Sequence, residues 1–346
     1  MKLTLRRPDD WHLHLRDGAM LAAVLPHTAE RFARAVVMPN LAPPVTTTQA
    51  ALAYRDRILA ARPEGSDFTP LMTLYLTDNT PAGEIRSAAA SGAVVGVKLY
   101  PAGATTNSDS GVTDIRRCDA ALEAMQAEGL VLQVHGEVTA AEVDVFEREK
   151  VFIDTVLAPV TERFPGLKIV LEHVTTADGV AFVRQAREGV AATVTPQHML
   201  LNRNALFAGG LRPHNYCLPV LKAEAHREAV FEAATSGLAR FFLGTDSAPH
   251  ARHRKESDCG CAGIYSAHAG LELYAEAFEA AGRLDRLEAF ASENGPRFYG
   301  LPLNEGAIEL VREPWTPPAA YPAGEDVLVP MRAGQEIAWR LCGAQG

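Results

Sequence analysis

Apolar positions along this chain follow two rhythms. Short β-rich runs at Trp11–Leu15, Ala35–Met38, Leu71–Leu76, Val94–Tyr100, Leu130–His135, Lys168–Val174, Ala191–Thr195 and Phe241–Thr245 alternate with longer stretches of helical spacing. In Asp114–Glu128 the residues Ile115, Cys118, Leu122 and Met125 fall on one face of a helix, and Gly129 stands where a C-terminal cap belongs. Ala140–Phe164, Ala177–Glu188 and Lys222–Thr235 show the same period. Eight strand-like runs separated by helices predict an α/β fold of parallel βαβ units, and eight closes a TIM (β/α)8 barrel. An open doubly wound sheet is the competing arrangement. The barrel is favoured because no Gly-x-Gly-x-x-Gly turn follows the first strand. In addition, polar residues finish many different strands, which is the end where barrels carry their active sites. Beyond Gly300 the chain is rich in proline (Pro302, Pro314, Pro317, Pro318, Pro322, Pro330). It predicts an irregular C-terminal extension over 301–346, wrapped on a barrel of about residues 8–300 as a single domain, 1–346.

Composition narrows the setting. The chain has 346 residues, 47% hydrophobic and 22% charged, enough for a large core. No run of about 18 apolar residues occurs, so no membrane span is expected. The start, MKLTLRRPDD, lacks the apolar core and cleavage site of a secretory signal. Cys118, Cys217, Cys259, Cys261 and Cys342 are too few in so long a chain for a disulfide framework, and a reducing cytoplasm is the expected compartment. The net charge is −9, and the one basic stripe, Arg252-His253-Arg254-Lys255, reads as a solvated loop. Neither nucleic acid nor membrane is expected as a partner.

The residues that finish the runs carry the chemistry. In DWHLHLRDG, strand alternation puts His12, His14 and Arg16 on one face. The fourth run ends near Lys98, the fifth at His135, the sixth near His173, and the eighth near Asp246, with His250 just beyond. Singly, each has an ordinary explanation: a hydrogen-bonded histidine, a lysine reaching solvent, an aspartate capping a turn. Together, at one end of a closed barrel, four imidazoles and a carboxylate would be buried with mainly each other as partners. A divalent ion removes that cost, and nitrogen and oxygen ligands suit zinc or another first-row metal. Lys98 is awkward, because an ammonium is repelled by a cation. Either it lies beyond the coordinating atoms, or its neutral amine has reacted with carbon dioxide to give a carbamate, an anion able to bridge two metals.

DWHLHLRDG, VVMPNLAPPVTT, GVKLYPAGATTNSDSG, VHGE, LEHVTT, FLGTDSAPH and KESDCGCAGIY, in that order, resemble the amidohydrolase superfamily. Within it they are most similar to the short bacterial dihydroorotase family, over about residues 6 to 300. The resemblance implies reversible interconversion of L-dihydroorotate and N-carbamoyl-L-aspartate, a step of pyrimidine synthesis, on two zinc ions. By the same resemblance His12, His14 and Asp246 would hold one zinc, His135 and His173 the other, and carbamylated Lys98 (N6-carboxylysine) would bridge them. Arg16, Asn40 and His250 would take the substrate carboxylate. The backbones of Leu218 and Ala262 would meet the ring, with His14 and His135 also facing substrate. Thr105 and Thr106 would belong to a mobile lid, and the assembly would be a homodimer. These roles are chemically coherent. Asp246 can move a proton from the attacking water to the leaving ring nitrogen, and Arg16 can grip a carboxylate in two places. A hydantoinase or dihydropyrimidinase would act on neutral rings and need no carboxylate clamp; a non-catalytic barrel would need none of the metal-suited residues. Cys259-Gly260-Cys261 is too small for a structural zinc site and reads as a packed loop with its backbone near substrate. SENGPRFYGL reads as helix packing. His27, His198, His214, His226, His253 and His268 end no apolar strand and are assigned no catalytic role.

Overall fold

Eight parallel strands in strict sequence order make the centre of the molecule, which a computed structural model describes over residues 1–342. A short N-terminal strand, β1 (Lys2–Arg6), precedes them. The central strands are β2 (Asp9–Leu13), β3 (Arg34–Val37), β4 (Thr69–Tyr75), β5 (Val94–Leu99), β6 (Val131–Val134), β7 (Ile169–Leu171), β8 (Val190–Val194) and β9 (Phe241–Leu243). Each pairs with the next in parallel register. The ring closes just past the strand ends, where Asp246 N donates to His12 O at 2.8 Å and His14 N to Ser247 O at 2.9 Å. This is the TIM barrel expected from the alternation, and the open sheet is excluded.

The barrel is sealed at its base by apolar packing. Trp11, Val36, Met38, Val131, Val170, Ala191 and Phe242 form one buried cluster, against which Phe298 and Tyr299 pack. Tyr299 stacks on Trp11 with ring centroids 4.4 Å apart, so SENGPRFYGL plugs the barrel floor rather than merely packing a helix. Strict alternation would send Trp11 and His12 to opposite faces. The register shift between Asp10 and Leu13 relaxes that rule, and Trp11 joins the floor while His12 joins the polar site above it. A second shift lies between Val94 and Gly96, ahead of Lys98.

The helical expectations hold with trimmed ends. Ile115–Cys118 is one tight turn leading into Asp119–Glu128, and Gly129 caps it at φ 75°. Ala177–Gln185 and Glu224–Thr235 match their segments. The stretch expected as a helix from Ala140 to Phe164 is helical only from Arg148 to Arg163, with a π turn at Ile153–Leu157. Asp144 explains the delay: its side chain accepts from Phe146 N at 2.8 Å, a local turn that competes with helix.

The tail corrects a second expectation. Rather than being irregular throughout, it contributes β10 (Ala307–Val311), the hairpin β11 (Tyr321–Ala323) and β12 (Asp326–Leu328), and β13 (Arg340–Leu341). β10 lies between β1 and β13, antiparallel to both. Residues 307–311 contain no proline, so their amides are free to pair with β1.

Candidate metal centre and substrate pocket

At the C-terminal mouth of the barrel, His12, His14 and Asp246 come together with one ligand-capable atom of each within 4.8 Å of the others. Asp246 Oδ1 lies 3.3 Å from His12 Nε2 and 3.2 Å from His14 Nε2. The outer nitrogens are spoken for. His12 Nδ1 is 2.8 Å from Glu172 Oε2, which also accepts from Thr193 Oγ1 at 2.5 Å. His14 Nδ1 is 2.8 Å from Asn40 Oδ1, and Asn40 Nδ2 donates to Thr106 O at 2.9 Å, which fixes the amide orientation. His14 therefore carries its proton on Nδ1 and turns the lone pair of Nε2 toward a carboxylate oxygen. Two acceptors at 3.2 Å repel unless a cation lies between them, so the donor set fits a metal ion.

Electrostatics agree. Burial, then the Arg16 charge, pulls His14 down to about 3, so it is neutral. Burial opposes ionisation of Asp246, but the hydrogen bond and charge of His12 outweigh it and hold the carboxyl well below its usual range. At His12, burial and Lys98 disfavour the charge, but Glu172 and Asp246 prevail and raise its pKa.

A second set of donors adjoins the first. The His173 ring centroid lies 5.1 Å from His12 and 4.8 Å from His135. His135 Nε2 bonds Glu137 Oε2 at 2.8 Å, leaving Nδ1 as the free nitrogen. His173 Nδ1 is buried without a partner, and burial, Lys98 and His135 drive its pKa well below the ordinary value. Lys98 is fully buried, its Nζ has no hydrogen-bond partner, and burial pulls it down to about 8. An amine so placed is available as a neutral nucleophile, which fits the carbamate reading.

Arg16 forms the neighbouring wall. It is half-buried and adopts φ 59°. Its Nε donates to Pro249 O at 3.2 Å, and Nη2 lies 3.1 Å from His250 Nε2. That same His250 nitrogen is 3.0 Å from Ala262 O, and a neutral imidazole nitrogen cannot both accept and donate. Burial and Arg16 hold His250 down at about 2, so it is neutral; donation to Ala262 O leaves Arg16 Nη2 without an acceptor. His14 Nδ1, 3.4 Å from Nη1, already carries its proton and cannot accept either. Among the described residues no carboxylate pairs with this guanidinium, so its two terminal nitrogens are free for an anion.

His12, His14, Arg16, Asn40, Thr105, Thr106, His135, His173, Leu218, Asp246 and Ala262 all line one cleft, together with Tyr100, Ala248 and Gly263. His250 stands behind it through Arg16, and Lys98 beneath it. Asn40 lines the cleft with both ends of its amide engaged, Oδ1 with His14 Nδ1 and Nδ2 with Thr106 O. Sequence reading missed Glu172 and Glu137, the carboxylates that orient His12 and His135. Glu137 had a signal, two residues after His135. Glu172 had none, because alternation puts it opposite His173; the left-handed backbone of His173, φ 42°, brings both side chains to the site. His27, His198, His214, His226, His253 and His268 do not line the cleft. Cys259 and Cys261 are free thiols, and Ala262 beside them presents its carbonyl to His250.

Comparison with known proteins agrees with this geometry. Residues 10–314 match the Amidohydrolase family. A dihydroorotase from an Azoarcus species is 67% identical over 340 residues, covering 98% of this chain and 99% of its own. The solved dihydroorotase of Campylobacter jejuni superposes with a TM-score of 0.90 at 36% identity, covering 98% and 97% of the two chains. A dihydroorotase from Saccharomyces cerevisiae, solved with 5-fluoroorotic acid, gives 0.91 at 33% identity, covering 99% and 98%.

Proposed function

We propose, from the premise that the chain belongs to the amidohydrolase family and to its dihydroorotase branch, that the cleft opens the cyclic amide of L-dihydroorotate to N-carbamoyl-L-aspartate. It runs the reverse ring closure as well, a step of pyrimidine synthesis. The observation that carries the substrate assignment is Arg16: a partly desolvated guanidinium without a carboxylate, beside a metal-suited cluster, calls for a substrate that brings its own carboxylate. Neutral rings such as hydantoin or dihydrouracil would leave it unpaired.

Two zinc ions are the cofactor this donor set supports. His12, His14 and Asp246 would hold one and His135 and His173 the other, with Lys98 as a bridging carbamate. When bound, such ions lower the pKa of water toward neutrality and polarise an amide carbonyl. The remaining work falls to the chain. Arg16, anchored through Nε on Pro249 O, fixes the substrate carboxylate, and His250, tied to Ala262 O, packs beside it. The backbones of Leu218 and Ala262 position the ring. Asp246, ionised in this environment, accepts the proton of the attacking water and returns it to the ring nitrogen as the C–N bond breaks. Thr105 and Thr106 close over the mouth, where Thr106 reaches Asn40 and Ala262.

Five free cysteines support a cytoplasmic setting. No helix among the described residues is long and apolar enough to cross a membrane. A homodimer is the assembly the family likeness favours, and sedimentation of the purified protein tests it. Purified protein is expected to turn over L-dihydroorotate and to leave hydantoin and dihydrouracil essentially untouched; preference for a neutral ring would end this reading. Elemental analysis should find two zinc per chain, and intact mass should carry one carbon dioxide.

A further inference from the structure

A second buried ammonium stands near the cleft with no task in the reaction above. Lys255 ends the short helical turn Arg252–Lys255 and is 4% exposed. Its Nζ donates to three backbone carbonyls: Tyr216 O at 3.0 Å, Cys261 O at 2.9 Å and Gly263 O at 2.5 Å. Those bonds use all three of its protons, and among the described residues no carboxylate neutralises it.

The three carbonyls belong to two loops that lie far apart in sequence and meet beside the cleft. Tyr216 precedes Leu218 by two residues, and Cys261 and Gly263 flank Ala262; Leu218, Ala262 and Gly263 line the cleft. The loops also bond directly, Gly263 N to Tyr216 O at 2.9 Å, and Cys261 N bonds back to Arg254 O at 3.0 Å. Ala262 O is reserved for His250, which in turn backs Arg16. One ammonium thus ties together the two segments whose residues Leu218 and Ala262 line the cleft. Burying an ammonium without a counter-charge is costly, and an apolar side chain would fill the same space more cheaply. Burial pulls its pKa only to about 8, so the charge survives at neutral pH.

We propose that Lys255 is a positioning residue for substrate: it ties the Tyr216–Leu218 and Cys261–Gly263 backbones to each other, so that Leu218 and Ala262 present a fixed surface to the ring. The proposal rests on the substrate reading above. A filler of space would affect stability alone, whereas a tie between substrate-facing backbones affects KM.

The test is Lys255→Met, with Lys255→Gln, whose amide can still donate to two carbonyls. Steady-state kinetics on L-dihydroorotate, bound metal and Tm are measured for both and for the unaltered protein. For Lys255→Met, KM should rise about tenfold or more while kcat stays within about threefold, as expected when uniform binding is lost. Bound metal should be unchanged, and Lys255→Gln should fall between. An unchanged KM, or a loss confined to kcat or to metal content, overturns the proposal. So does failure of both variants to fold, which would make Lys255 a determinant of the fold. If the unaltered protein does not turn over L-dihydroorotate, the substrate reading fails and takes this inference with it; an active enzyme with unchanged KM in the variants strikes the role of Lys255 alone.

Discussion

Lys98 shows how one buried side chain can decide what a site becomes. A lysine without a partner in the barrel interior is unfavourable as an ammonium, and burial brings its pKa from the usual 10.5 to about 8. Below pH 8 the proton is held in folded and unfolded chains alike. Between about 8 and 10.5 the folded chain has released it and the unfolded chain has not, so the neutral amine becomes available as pH rises through 8. Metal-stripped protein held at constant dissolved ¹³C-labelled carbon dioxide should therefore form carbamate faster at pH 9 than at pH 7, by about tenfold from the neutral fraction alone. Carbon NMR would read it, and a rate flat across that range would contradict the assignment. Lys98→Ala should lose most activity, and a small added carboxylic acid should restore part by supplying the missing oxygens; a variant near the normal rate would rule out a bridging role. Arg16 makes the complementary case. Arg16→Met should raise KM for L-dihydroorotate steeply, because a charge-assisted bidentate contact disappears, while bound zinc stays constant. Loss of metal in that variant would recast Arg16 as a structural residue.

The elements that present these residues carry their own constraints. The loop proposed as a lid begins and ends at one point: Val112 N donates to Tyr100 O at 2.8 Å, Ala102 N to Val112 O at 3.0 Å, and Ser108 Oγ donates to Thr105 O at 2.6 Å. Gly111 sits in that root, where an added Cβ would lie 2.3 Å from Tyr100 O and 2.9 Å from Ser108 O, both backbone atoms. Gly111→Ala should splay the root and move Thr105 and Thr106 off the cleft. The expected result is a drop in kcat/KM of about tenfold, of the order that small misplacements of substrate-positioning groups produce, with bound metal unchanged. An unaffected kcat/KM would mean that the lid does not gate this site. The same elements show what sequence can reveal. Period-two and helical spacing are properties of one chain segment, so all eight barrel strands and the four helical segments named from their spacing were legible, while Gly18–Arg31, Thr48–Ala60, Ala82–Ala90 and Gly270–Ala280 were not singled out. The cluster of His12, His14 and Asp246 was legible because each is a polar group at the end of an apolar run. Departures arise where the backbone leaves its regular state. Of the five non-glycine residues with positive φ among those described, Arg16, His173 and Asp246 line the cleft and Asn107 lies in the lid. Such strain is sustained only where the surroundings enforce it, and no local pattern announces it. Glu172 reaches His12 through one such break. Lys255 was illegible for a related reason: its partners are carbonyls, which every residue has.

At the scale of the whole molecule, the two chain ends are bound to each other before either meets the barrel. β1 and β10 pair over five positions, from Lys2 with Val311 to Arg6 with Ala307, and β13 adds a further strand beyond β10. Leu310, Ile337 and Trp339 are fully buried, and Trp315 Nε1 donates to Trp339 O at 2.7 Å. Trp339 Nε1 in turn donates to Glu279 Oε2 at 3.1 Å, on the helix Gly270–Ala280 that packs outside the barrel. Leu5, Leu310 and Trp339 belong to the same buried cluster as the barrel strands and their helices. Such continuity of apolar contact argues that the tail melts with the barrel as one cooperative unit. Trp339→Ala should then cost about 3–5 kcal/mol, the usual range for deleting a buried tryptophan. It should also lower a single thermal transition of the entire chain. Calorimetry decides between the alternatives: one shifted peak, in metal-stripped protein so that zinc release does not complicate two-state behaviour, is the expected outcome. A new low-temperature shoulder with the main peak unmoved would show instead that the tail folds and melts on its own, and the barrel would have to be regarded as a separate domain.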